Sequence, residues 1–277
     1  MTLRHMTLRH MTLRRGVFLA GVATLCAWVL VPIYLIMLGA IGGEATVNAW
    51  PKPFWPVTWS LAALRQFMNI AGVWMSVLYS VEAASLCMLI AIALGAPAGY
   101  ALARYRFRGA TGFRLFVLLT RAFPVAILAL PLAVSFIRLG LYDSPIGVGL
   151  MHSVLAMPFA VLISASLFQA IPRELEEAAW IFGCSGPGAF FRVVLPLALP
   201  GITATAIFAF VISWNEVFAA SVLTVRHRTL TAYLLTVLSE SPLHTQFAGG
   251  FILIVPSVLF ILLVRRQLFS MWGIASR

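Results

Sequence analysis

Six apolar runs, each near the ~20 residues a helix needs to cross a ~30 Å hydrocarbon layer, constrain this chain more than any other feature. They extend roughly from Gly16 to Ala40, Gly72 to Leu102, Phe113 to Leu139, Ile146 to Ala170, Leu197 to Val225 and Phe247 to Val264. The expected fold class is all-α, a polytopic membrane protein with six transmembrane helices. The first run is too long for the core of a cleaved secretory signal, which has ~7 to 15 apolar residues, so it reads as an uncleaved span. Composition agrees: 62% of residues are hydrophobic, 10% are charged and the mean hydropathy is +1.00. Soluble domains carry roughly 25% charge.

Six spans place both ends of the chain on one side. Thirteen arginines then lie on that side: Arg4, Arg9, Arg14 and Arg15; Arg104, Arg106, Arg108 and Arg114; Arg173 and Arg192; Arg265, Arg266 and Arg277. Five basic residues lie opposite (Lys52, Arg65, Arg138, Arg226, Arg228), and Arg121 falls inside a span. The positive-inside tendency assigns the richer face to the cytoplasm, with the lipid bilayer as the chain's main environment. The excess of basic residues therefore serves topology. No basic stretch is long or regular enough to track phosphates, so no nucleic-acid partner is expected.

Residues 1–15, MTLRHMTLRHMTLRR, write one five-residue unit three times. They read either as a basic arm on the cytoplasmic leaflet or as a duplicated start, with Met6 or Met11 as the initiator. Residues 16–277 read as a single transmembrane domain. Cys26, Cys87 and Cys184 are scattered and make neither a disulfide framework nor metal-ligand spacing.

Between Ile171 and Gly201 the apolar pattern breaks into IPRELEEAAWIFGCSGPGAFFRVVLPLALPG. Pro172 suits a first helical position, and Glu174, Glu176 and Glu177 put negative charge at the positive end of a helix dipole. At 100° per residue, Ile171, Leu175, Ala178 and Phe182 share one face, with Arg173, Glu176, Glu177 and Trp180 on the other. Gly183 is expected to stop this helix at a turn needing positive φ. Ala189 to Leu195 forms a second short helix before Pro196 and Pro200 lead into the fifth span. On the residues alone this is either an interfacial amphipathic hairpin or a docking element.

The stretch resembles the EAA loop of permeases of carbohydrate-type ABC importers, whose pattern is close to IPxELxEAAxxDGAxxxxxFxxxxLPLxxPG. Ile171, Pro172, Glu174, Leu175, Glu177, Ala178, Ala179, Gly183, Phe191, Leu195, Pro196, Leu197, Pro200 and Gly201 stand at matching places. AGYALARYRFRG from Ala98, GLYDSPIGV from Gly140, FAFVISWNEVF from Phe208 and EATVNAWPKPFWPVTWS from Glu44 are also similar to family segments, so the resemblance covers nearly the whole chain. Phe182 departs from the family's Asp and Cys184 from its Ala. The resemblance implies a cytoplasmic coupling-helix pair over about 171–196. Glu174, Glu177, Ala178, Ala179, Trp180, Phe182, Gly183, Phe191 and Pro196 would engage cytoplasmic ATPase subunits, Trp180 and Phe182 as apolar anchors. It further implies a second permease subunit, an extracytoplasmic solute-binding protein, and import of a sugar or sugar-like solute. A polyamine or a glycerophosphodiester is the alternative cargo.

ATP and Mg would sit on the partner ATPase, and no cofactor is expected on this chain. A phosphate-binding Walker loop requires a lysine, and the one lysine, Lys52, lies between prolines on the expected outer side. No metalloprotease motif, nucleophile set or carboxylate pair suggests an enzyme, and a structural or incidental role is expected for each histidine. A stand-alone secondary transporter also fits six spans, but it has no need of the cytoplasmic double helix. Two further groups merit attention because charge inside a membrane is costly. Glu82 and Arg121 have similar depth in neighbouring spans and are expected to pair, with a role in the pathway as the alternative. Trp214, Asn215 and Glu216 offer stacking and hydrogen bonding to a hydroxyl-rich solute in the pathway, although Trp near an interface is also a common anchor.

Overall fold

A computed structural model of the chain describes residues 2–237 and 240–271, with side chains described over 15–236 and 240–263. No strand occurs among the described residues, as expected where hydrocarbon offers backbone groups no partner outside their own helix. The described residues divide into two compact units.

The first unit comprises residues 2–68 and 241–252. It contains α1 (Thr2–Ile41), α2 (Gly43–Asn48), α3 (Ala62–Met68) and the beginning of α13 (Leu243–Met271). The irregular segment 49–61 is pinned to the end of α1 and to α2: Ser60 N–H donates to the Ile41 carbonyl at 2.8 Å, and Val57 N–H donates to Thr46 Oγ1 at 3.0 Å. His244 and Gln66 meet through Nε2 and Oε1 at 3.2 Å. Trp50, Phe54, Trp55 and Trp59 are all exposed, the three tryptophans as amphipathic rings at a bilayer surface commonly are.

The second unit, residues 69–240 and 253 onward, holds the remaining helices. These are α4 (Val73–Arg104), α5 (Ala110–Leu119), α6 (Val125–Leu139), α7 (Pro145–Ala170), α8 (Glu174–Ile181), α9 (Gly186–Ala189), α10 (Leu195–Asn215), α11 (Phe218–Leu223) and α12 (Leu230–Val237). Its centre is the seam of α4 with α7, closed by α10. Small residues permit that approach, since helices in lipid gain from close van der Waals contact instead of from escaping water. Cys87 and Ala91 of α4, Ala156 and Ala160 of α7 and Ala209 of α10 form one buried cluster. A Cβ placed at Gly95 would lie 2.6 Å from that of Ala160, and one at Gly99 would lie 2.6 Å from that of Ser164.

Among the described residues five helices are long and apolar enough to cross a membrane, and a bent pair supplies a sixth span. The straight third span expected over 113–139 is therefore corrected. Residues 110–122 and 125–139 meet at 87°. Pro124 supplies no N–H, and Phe123 before it is extended at φ −73°, ψ 121°. The fifth span also ends earlier than expected. α10 stops at Asn215, Glu216 is extended, and α11 begins afresh at Phe218.

Candidate coupling site

The interruption at 171–201 folds as a helix, a glycine turn and a second helix that does not stop. α8 opens at Glu174 with Arg173 as its N-cap, so Pro172 lies just outside the helix and not at its first position. Glu174, Glu176 and Glu177 do occupy the first turn. The turn after α8 is closed by Gly183 at φ +84°. Gly183 N–H donates to the Trp180 carbonyl at 2.9 Å and Cys184 N–H to the Ala179 carbonyl at 3.0 Å. That 5→2 and 6→1 pair is the Schellman arrangement, which wants glycine where the backbone turns left-handed. A Cβ on Gly183 would meet no atom within 4 Å, so the restriction is conformational and not steric.

Ser185 then caps α9, its Oγ accepting from Gly188 N–H at 3.2 Å. A π turn over Phe190–Val194 joins α9 to α10. The expected separate second helix, 189–195, is therefore instead the beginning of one continuous helical run from Gly186 to Asn215. Phe191 projects outward from this turn and Pro196 is exposed, while Phe190 and Val194 turn inward.

The face assignment of α8 is likewise corrected. Its buried residues are Glu176 (2% exposed) and Ala179, one from the polar face, whereas Leu175, Ala178 and Phe182 of the apolar face are exposed. Burial of a carboxylate requires partners, and Glu176 has them. Its Oε1 accepts from Arg104 Nε and its Oε2 from the Tyr100 hydroxyl at 2.7 Å. Arg104 Nη2 also donates to the Ile171 carbonyl at 3.0 Å. The Tyr100 ring stands edge-on to Phe168 and Phe190, with centroids 5.3 and 4.6 Å away.

Outward from this anchor, Trp180, Ile181 and Phe182 form an apolar tip, the last two 84% and 87% exposed. Glu174 and Ala178 are exposed, and Glu177 makes only an exposed i,i+4 pair with Arg173 at 3.4 Å. Such pairs contribute little to stability, so the carboxylate is available to another molecule. Tyr100, Arg104 and Glu176 were not singled out from the sequence. The arginine ending a long apolar run was the one signal, and its partner lies some 70 residues further along the chain.

Elsewhere the structure rearranges the expected constellations. Glu82 and Arg121 are not brought together. Glu82 lies on the exposed face of α4, away from the seam, and Arg121 sits in the 3-10 turn at the 87° bend, its guanidinium 3.9 Å from the Phe159 ring centroid. Matched depth presupposed a straight third helix.

Of the 214–216 cluster, Trp214 is buried: its indole N–H donates to the Leu253 carbonyl at 3.1 Å, and its ring stacks on Phe210. Asn215 is exposed, with Nδ2 donating to the Val211 carbonyl and to Ser257 Oγ. Glu216 caps α11, accepting from Phe218, Ala219 and Ala220 N–H at 3.0 to 3.2 Å. It also meets His152 Nε2 at 3.0 Å, while Nδ1 of that fully buried histidine contacts Ser213 Oγ at 2.7 Å. His152 thus fastens α7 to the break between α10 and α11.

The GLYDSPIGV segment forms a second anchor. Asp143 adopts φ 56°, and its Oδ1 accepts from Val225, Arg226 and His227 N–H at 2.7, 2.8 and 3.1 Å. Burial raises the pKa of this carboxyl, but the three backbone donors and the His227 side chain outweigh it and hold the group below its ordinary 3.8.

Comparison with known proteins agrees with this architecture. Residues 91–271 match the family model described as binding-protein-dependent transport system inner membrane component. The ORF1 protein of Streptomyces antibioticus is 35% identical over 215 residues, 76% of this chain and 94% of its own. The trehalose transport system permease protein SugB of Mycobacterium tuberculosis is 33% identical over 65% of this chain and 68% of its own. Among solved structures, a chain of a bacterial transporter importing the acidic polysaccharide alginate superposes with a TM-score of 0.70 at 23% identity, covering 93% of this chain and 96% of that one. The chain accordingly belongs to the family of binding-protein-dependent transport system inner membrane components and is a permease subunit of an ABC importer.

Proposed function

We propose that this permease carries a sugar or sugar-like solute and is driven through residues 171–196 by a cytoplasmic ATPase. The observation that carries the coupling half is the apolar tip Trp180, Ile181 and Phe182, held outward on a helix whose other face is fastened by a buried carboxylate. An exposed hydrophobic cluster rimmed by Glu174 and Glu177 is the kind of surface that marks a protein partner. The sugar half is supported by relatives named for trehalose, sulfoquinovosyl glycerol and diacetylchitobiose transport.

In this reading ATP and Mg belong to the ATPase, an external binding protein delivers the cargo, and a second permease completes the pathway. Both termini face the cytoplasm with the coupling loop, as the arginine distribution favours. Closure of the ATPases moves α8 and α9, and the spans rock from inward-open to outward-open. Of the 214–216 cluster, Asn215 retains an exposed side chain and is proposed to line the pathway.

The test is purification of the complex carrying Glu177→Ala or Gly183→Val. Loss of a charged contact at an interface typically costs ~2 to 5 kcal/mol, and a non-glycine residue in the left-handed region costs roughly 1–2 kcal/mol. Both variants should lose co-purifying ATPase or binding-protein-stimulated hydrolysis. Normal assembly and hydrolysis in both would make the loop a passive interfacial hairpin.

A further inference from the structure

We propose that Arg104 and Glu176 form a clasp that makes α4 and the coupling helix α8 move as one body. Motion imposed at the loop then reaches the longest span of the second unit through side chains, and not only through the chain connections to α7 and α10. The inference rests on the coupling reading above and names the joint by which that coupling is carried.

The geometry is that of a fastening between separate elements. Arg104 is the last residue of α4, and it holds Glu176 on α8 and, through Nη2, the Ile171 carbonyl where α7 ends. Tyr100, one turn earlier on α4, donates to the second oxygen of the same carboxylate at 2.7 Å. Its ring is wedged between Phe168 of α7 and Phe190 of the π turn. Both charged side chains are buried, at 9% and 2% exposure. Away from water, charge-assisted hydrogen bonds are strong and directional. Removing one partner strands the other charge, so a clasp of this kind resists opening while the elements around it move. A pair serving only to hold the fold would not need to grip three elements at the point where the loop leaves the membrane domain.

The experiment measures the distance between spin labels at Leu94→Cys on α4 and Leu175→Cys on α8. It uses the assembled complex with Cys26, Cys87 and Cys184 replaced by serine, without nucleotide and with ADP trapped by vanadate after ATP turnover. With Arg104 and Glu176 in place, the distance should keep its centre and width in both states. In Glu176→Gln, which preserves shape and a partner for Tyr100 but not the charge, the distance should differ between the two states. A nucleotide-dependent distance with the pair intact overturns the clasp. So does a Glu176→Gln distribution that is unchanged, or broadened equally in both states, since the latter is what a merely structural pair would give. If Glu176→Gln does not assemble, Arg104→Gln replaces it, with the same expected and overturning results. Failure of any ATPase to co-purify with the unmodified chain would instead overturn the coupling reading itself.

Discussion

Asp143 is the one non-glycine residue with positive φ among those described. Its short polar side chain tolerates that region, and it uses the position to gather three consecutive N–H groups of the 225–227 loop. Because its folded pKa lies below the unfolded value, its contribution is present above about pH 3.8 and is lost as pH falls through the folded value. Asp143→Asn should lower the melting temperature at neutral pH, and the gap from wild type should close as the solution is acidified. A gap that stays constant down to acid pH would show that the charge is irrelevant. At this scale the sequence was partly legible. Gly183 announced a left-handed turn because nothing else suits one cheaply, and it has φ +84°. Glu176 did not announce its burial, because helical periodicity grouped it with polar neighbours and its partners lie some 70 residues upstream.

Helix lengths were legible because span length follows from bilayer thickness, but the breaks were not. Phe123–Pro124 carried the local signal for the bend, hidden inside an otherwise unbroken apolar run. Glu216 ended α10 by offering its carboxylate to the next helix, a competition between side chain and backbone that hydropathy does not register. The α4–α7 seam was invisible to the same reading, since glycine and alanine count there as merely apolar. It has a sharp consequence: Gly99→Leu must displace Ser164 and the backbone of α7. Overpacking of a tight core costs typically ~1–3 kcal/mol, and the variant should melt several degrees lower in detergent. Gly112→Ala on α5, where a Cβ meets nothing within 4 Å, should be neutral or slightly stabilising. Equal behaviour of the two would remove close packing as the reason for glycine at position 99.

For the whole molecule, composition alone placed the chain in a membrane, while orientation rests on where the arginines fall. Cys184, partly exposed in the coupling turn, reports on it. With exposed Cys26 replaced by serine and Cys87 buried, a membrane-impermeant maleimide should label the chain in inverted vesicles and not in right-side-out ones. Labelling of intact right-side-out vesicles would reverse the topology. How this chain would meet the proposed second permease was never legible, because an interface between two chains leaves no periodicity in either.

The π turn at Phe190–Val194 bears on which changes the chain can tolerate. A π turn is an α-helix holding one residue more than its ladder requires. Each residue of an α-helix advances the chain by about 100° around the axis, so deleting one residue here would restore ordinary helix and swing the coupling tip by that angle relative to α10. Surface loops commonly absorb length changes that spans reject, and this segment reverses the rule. A substitution at 190–194 alters the contacts of one side chain, whereas a deletion would re-aim every residue of the proposed docking face at once, so spacing is expected to be a stricter requirement here than identity.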